Sequence, residues 1–162
     1  MLRLNKLTDY STVIMSHMAR KPGNVHSVAE MVATLGVAAP TASKILKTLA
    51  RRDLVHSLRG AKGGYMLSRP PEQISIIELI DAMEAPFGVT ECSVAPGLCA
   101  QEIGCPIRGN WQHLNQVIRH TLEQVTLADM NLSPIAARQG GATPSRRAPV
   151  APDDITEQMT RR

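Results

Sequence analysis

The chain has 162 residues, 18 Lys and Arg against 14 Asp and Glu, and a formal charge of +4 with a pI near 9.3. This length suits one domain with an appended tail, and the few aromatics (Tyr10, Tyr65, Phe87 and Trp111) leave the core to Leu, Ile, Val, Ala and Met. There is no run of eighteen apolar residues, and the N-terminus lacks the basic, apolar, small-residue order of a secretory signal. The expectation is a cytoplasmic protein with no membrane partner.

Along the chain, Val13, Ile14, Met15 and Met18 recur at helical spacing and predict a first helix over 8–20, with Thr8 as its cap. After the breaker Lys21, Pro22, Gly23, Asn24, the residues Ser27 to Glu30 form a capping box that opens a second helix to about residue 34. A tight connection follows, and Pro40 is tolerated in the first turn of a third helix running to about residue 52. Its apolar stripe is Ala42, Ile45, Leu46 and Leu49, with Lys44, Lys47, Thr48 and Arg51 opposite.

Residues 54–59 and 65–68 read as two strands joined by the glycine-rich turn 60–64, a hairpin with Arg59 and Lys62 at its tip. A second capping box, Ser75 to Glu78, starts a short apolar helix. Cys92, Cys99 and Cys105 then fall in one Gly- and Pro-rich loop, with six and five residues between neighbours. That spacing suits a loop wrapping a metal centre better than the two-residue knuckles of most zinc sites, and an odd count in a reducing compartment disfavours structural disulfides. Structural zinc and merely buried thiols are the competing readings.

Pro106 is placed at the start of a last helix, in which Ile107, Trp111, Leu114, Ile118, Thr121 and Val125 approach the 3.5 period of a two-helix seam. A helix packed on its own domain would show the same stripe, but a chain this small has little surface elsewhere to cover it, which favours a dimer helix. The organisation expected is a DNA-binding unit over 1–84, a cysteine loop and long helix over 85–132, and a disordered tail over 133–162.

Two short helices, a tight turn and a basic hairpin describe a mostly α fold, a winged helix-turn-helix with a small β-hairpin wing and a long C-terminal dimerisation helix. Lys44, Lys47, Arg51, Arg52, Arg59 and Lys62 face a single acid, Asp53, in the segment they span. Such a segment binds duplex DNA by neutralising phosphates, while Thr41, Ser43 and Lys44 near the helix start are candidates for reading bases. A solvated amphipathic face is the plainer explanation of the stripe; the glycines and cations of the wing favour DNA.

These residues resemble the iron-sulfur winged-helix transcription regulators of the IscR and NsrR type, most of all the regulators of the SUF assembly operon. The resemblance covers about residues 1–130. It rests on LNKLTDY from Leu4 to Tyr10, LVHSLRGAKGGYMLSRP from Leu54 to Pro70, ISIIELIDAME from Ile74 to Glu84, and the three cysteines before the long helix. It implies a homodimer on a double-stranded DNA operator of twofold symmetry, with Ser43 reading bases and Arg59 entering the minor groove.

It also implies an iron-sulfur cluster held by Cys92, Cys99 and Cys105, with 2Fe-2S favoured over 4Fe-4S. IscR-like members add a histidine three residues after the last cysteine; here Arg108 stands in its place. Asp9 matches the position from which some NsrR-like members supply a carboxylate across the dimer, and it reads equally as a first-turn acid favouring the helix dipole. Glu91 and His113 are local alternatives.

The function expected is therefore a transcriptional regulator, not an enzyme, with no small-molecule substrate. Its cluster would control operator affinity at SUF genes. A redox- or nitric-oxide-sensing repressor of other genes is the nearest rival. A metal or redox protein using the winged helix for protein contacts is the rival from another class.

Overall fold

The computed structural model describes residues 4–60, 63–84 and 86–132. Helix α1, Lys6–Ala19, is capped by Asn5, whose Oδ1 accepts the amides of Leu7 at 2.8 Å and Thr8 at 2.9 Å. Thr8 is thus not the cap. It is fully buried, and its hydroxyl donates to Glu84 Oε1 at 2.6 Å. The inward stripe is Thr8, Ser11, Ile14, Met15 and Met18, whereas Val13, expected inside, is exposed. Ser11 can lie inside because its hydroxyl donates to the Thr8 carbonyl at 2.7 Å, leaving no unpaired polar group.

Helix α2, Val28–Leu35, begins at Ser27, whose Oγ accepts the Glu30 amide, and ends at Gly36 in the left-handed region with φ of 67°. Helix α3, Ala39–Arg51, carries Pro40 in its first turn and buries Ala42, Ile45, Leu46 and Leu49 completely, as its stripe predicts. Helices α1, α2 and α3 pack together around Met15, Met18 and Met31. Unbranched methionine fills this space in place of aromatic rings.

Strands β1, Val55–Leu58, and β2, Gly64–Leu67, pair antiparallel with Val55 opposite Leu67. Beyond the hairpin, Tyr65 and His26 exchange both backbone hydrogen bonds, at 2.8 and 2.9 Å, which joins β2 to the segment before α2. This contact explains Gly64: a Cβ there would lie 2.4 Å from the His26 carbonyl oxygen. The need is close approach as well as turn chemistry.

Helix α4, Ile76–Met83, has the complete capping box expected of Ser75 and Glu78. Next comes the short helix α5, Glu91–Val94, inside the cysteine segment, and then α6, Arg108–Glu123. Pro106 and Ile107 precede α6 and Val125 follows it, so the helix is shorter at both ends than its apolar pattern implies. After α6 the chain returns to α4. Ile76 donates to the Val125 carbonyl and Leu127 to the Ile74 carbonyl, which places Leu127 in the same core as α1 and α3.

Arg119 of α6 holds Asp81 of α4 through both carboxylate oxygens, at 2.8 and 3.3 Å. No helix among the described residues is long and apolar enough to cross a membrane. The tail expected over 133–162 lies outside the described residues, as does Lys62.

Candidate DNA interface and thiol loop

The outer face of α3 presents Lys44, Lys47 and Arg51 to solvent, with Thr41 and Ser43 half-buried near its start. Thr48 donates its hydroxyl back to the Lys44 carbonyl, so it serves the helix as well as the polar face. No acid occupies the first turn of α3, which leaves the positive end of its dipole free to favour phosphate. The hairpin follows after a two-residue turn closed by the Leu54 amide on the Leu49 carbonyl, at 3.1 Å. Arg59 stands exposed just past β1, beside Gly60 at φ of 120°.

Three arginines elsewhere are paired. Arg69 pairs with Glu78, Arg108 with Glu102 and Arg119 with Asp81. Among the described residues no ion pair engages Lys44, Lys47, Arg51 or Arg59. These three arginines are neutralised locally. Arg20 and Lys21 are exposed and unpaired as well among the described residues, but the unpaired cations of α3 and the wing follow one another on two adjoining elements, where a polyanion can supply them with partners.

The three cysteines are free thiols. Cys92 is buried on α5, with its sulfur 3.3 Å from Thr90 Oγ1, and Cys99 and Cys105 are half-buried. The loop is closed by a chain of contacts: the Gly97 amide donates to Glu102, and Arg108 pairs with the other oxygen of that carboxylate. Arg108 is therefore occupied as a structural cation. Asp9 lies exposed in the first turn of α1, and Glu91 and His113 are exposed.

Within the described residues, the one set of three ligand-type side chains with donor atoms all inside 4.8 Å is His17, His26 and Glu30. The three sulfurs are not drawn together in that way. A mononuclear tetrahedral zinc with bonds of about 2.3 Å would hold them about 3.8 Å apart. Their wider separation does not match a preformed zinc site, whereas a cluster distributes its thiolates over several irons. The donors are of the type that holds a cluster, and their count leaves a fourth ligand to be supplied.

Sequence reasoning missed the residues that attach this loop to its surroundings. The Asn5 amide and the Thr8 hydroxyl both donate to Glu84, fastening the start of α1 to the end of α4. Asn115, the buried residue of α6, accepts the Val89 amide at 3.1 Å. Asp81 also accepts the Phe87 amide, and the Arg119 guanidinium is held above its usual pKa, first by its hydrogen bond to that carboxylate. Apart from the Asp81–Phe87 contact, each joins positions at least 26 residues apart, so no local pattern could have indicated it.

Residues 4–131 match the family model of Rrf2, described as an iron-dependent transcriptional regulator. A protein of Rhizobium meliloti named aau3 is 31% identical over 106 residues, covering 65% of this chain and 66% of its own length. A Mycobacterium tuberculosis protein named as an HTH-type transcriptional regulator is 28% identical over 161 residues, 99% of this chain and 95% of the relative.

Among solved structures, CymR of B. subtilis, titled the global cysteine regulator, aligns with a TM-score of 0.64 and 26% identity over 81% of this chain and 97% of its own. IscR of T. potens aligns with a TM-score of 0.60 and 25% identity over 80% and 85%. The fold, the unpaired cations of α3 and the wing, and these likenesses agree: the chain belongs to the Rrf2 family of DNA-binding transcriptional regulators.

Proposed function

We propose that this regulator binds double-stranded operator DNA as a homodimer, and that an iron-sulfur cluster on Cys92, Cys99 and Cys105 sets its affinity. The observation that carries the DNA reading is the set of exposed, unpaired cations Lys44, Lys47, Arg51 and Arg59 on two rigidly joined elements. Thr41 and Ser43 take the base-reading positions at the start of α3, and Lys62 extends the wing.

The dimer reading is supported by α6, where Leu114 and Val117 are 42% and 49% exposed and Ile107 just before it is 50% exposed. A second copy crossing this helix would cover that face and set the spacing of the two reading heads. On this reading 85–132 is the sensory and dimerisation unit and 1–84 the reading unit.

A cluster at the thiols supplies sensitivity to oxidation, iron supply and nitric oxide. The protein's part is mechanical. Glu84 fastens the entry of the loop to α1, and Asp81 and Asn115 hold Phe87 and Val89, just past that entry, to α4 and α6. Ordering the loop therefore biases the angle between α6 and the head, and affinity follows by linkage.

Asp9 is the candidate fourth ligand, reached across the dimer, because Arg108 is committed to Glu102. The 2Fe-2S form is favoured and 4Fe-4S is the variant. Genes of SUF-type iron-sulfur assembly are the proposed target, supported by the iron-dependent family description and by the likeness to T. potens IscR. The likeness to CymR favours a second reading, thiol-based sensing without a cluster.

The test is anaerobic purification, absorption and Mössbauer spectra, and titration of iron-loaded and iron-free protein against promoter duplexes over a range of salt. The proposal expects a coloured protein whose operator affinity changes on cluster loss. Equal operator affinity in both forms would sink the switch and favour the second reading. Asp9→Ala should alter the spectrum if Asp9 is a ligand, and leave it unchanged if Asp9 only complements the dipole of α1.

A further inference from the structure

The reading head contains a second ligand-type cluster, separate from the thiols and from the DNA face. His17 lies in the last turn of α1, His26 in the segment paired with β2, and Glu30 in the first turn of α2. Their donor atoms all lie within 4.8 Å of one another. Glu30 Oε1 is 3.4 Å from His26 Nδ1 and 3.8 Å from His17 Nε2, and the two rings meet edge to face with centroids 5.4 Å apart.

Two observations point to a ligand here. First, all four imidazole nitrogens are buried and none makes a hydrogen bond; the His26 side chain is only 4% exposed and that of His17 14%. The approach of Glu30 to both rings is close in distance but lacks hydrogen-bond geometry, so these nitrogens carry a desolvation cost that the protein alone does not offset. Second, the spacing is that of ligands around one small ion. Tetrahedral bonds of about 2.0–2.1 Å to nitrogen and oxygen put neighbouring ligand atoms about 3.3–3.4 Å apart. The separations of 3.4 Å at His26 and 3.8 Å at His17 are at that value and about half an ångström above it.

We infer that His17 Nε2, His26 Nδ1 and Glu30 Oε1 form a binding site for a divalent transition cation of the zinc class, with its open position on the solvent side of Glu30. Two borderline imidazoles with one carboxylate are a set that suits zinc(II) and cobalt(II) and leaves room for water. The Glu30 side chain, 48% exposed, provides the entry path.

An ion here ties three elements. His17 anchors it to α1 and Glu30 to α2, while His26 carries the tie into the wing through its paired backbone bonds with Tyr65. Occupancy would fix the base of the hairpin against the helix pair and hold the α3 and wing cations in one arrangement. The inference uses none of the thiols and does not depend on the cluster proposal.

The experiment keeps the two sites apart. The full chain carrying Cys92→Ser, Cys99→Ser and Cys105→Ser is titrated with cobalt(II), then with zinc(II) in competition. One equivalent should bind with weak d–d bands and no thiolate charge-transfer band. Adding Glu30→Gln, a half-exposed position that leaves the core intact, should weaken binding at least by the roughly tenfold to hundredfold loss that even outer-sphere partners cause.

A second arm needs no substitution. Zinc(II) added to the wild-type chain should shift the imidazole nitrogen resonances of His17 and His26 and leave His56, His113 and His120, all exposed, in place. In the thiol-free chain zinc should also raise the melting temperature, by less at the same zinc concentration once Glu30→Gln is added. No bound equivalent in the thiol-free chain, affinity unaffected by Glu30→Gln, or static His17 and His26 resonances while zinc binds elsewhere would each overturn the assignment.

Discussion

The reading head and the thiol loop are built in opposite ways. In the head, Ile14, Met15, Met18, Met31, Ile45, Leu46 and Leu49 are all fully buried, and every helix is fastened by a cap or a close turn. In the loop, Leu98 is 57% exposed, Ile103 wholly so, and the two regular pieces are a four-residue helix and a single 3-10 turn. A preformed surface can hold its cations in register for a rigid polyanion, whereas a loop with little internal packing can respond to what its thiols bind. On the proposed reading, this contrast matches recognition in the first region and sensing in the second.

The largest effect that tests this contrast is a cavity in the head. Leu49→Ala should lower stability by about 2–5 kcal/mol and abolish duplex binding in parallel. Leu98→Ala in the loop should stay within about 0.5 kcal/mol. Denaturant unfolding of both variants reads the difference, and equal losses would remove the distinction.

Next in size is the charge set. Lys47→Ala should weaken binding to all duplex sequences alike and reduce the salt slope by about one if Lys47 meets a phosphate, with stability unchanged. A slope equal to wild type would return Lys47 to a solvated face. Ser75→Ala removes the cap of α4, the element that leads into the loop, and should cost about 1 kcal/mol by thermal unfolding.

The smallest effect is a pH dependence. At Glu78 burial opposes ionisation, but the Ser75 amide, Arg69 and the Ser75 hydroxyl outweigh it, so the carboxyl is held below its usual value of 4.5. A depressed folded pKa means stability that is present above the unfolded pKa and lost as pH falls through the folded value. Stability should therefore decline below about pH 4.5, with a shallower slope in Glu78→Gln. An identical slope in both proteins would show that Arg69 and the cap contribute nothing to this linkage.

Much of the head was legible in the sequence because its signals are local. The α3 stripe, the antiparallel hairpin and the Ser75–Glu78 capping box each lie within one helix or one hairpin, and each was found as expected, except that Gly64 opens β2 and does not belong to the turn. Errors arose where a local signal met a distant demand. Thr8 has the chemistry of a cap but is drawn inside by Glu84, 76 residues away, and Asn5 takes its place. The seam pattern ran past both ends of α6 because periodicity marks an apolar face, not where backbone bonding stops.

The candidate site divides along the same line. Residue type and order alone identified the cations of α3 and the wing and three thiols on one loop, since charge and ligand chemistry belong to single residues. Tertiary structure decided the rest. Only in space does Arg108 find Glu102, does Gly64 meet the His26 carbonyl, and do His17, His26 and Glu30 converge from three elements. A pattern along a chain records what each residue can do, and packing selects which neighbour it does it with.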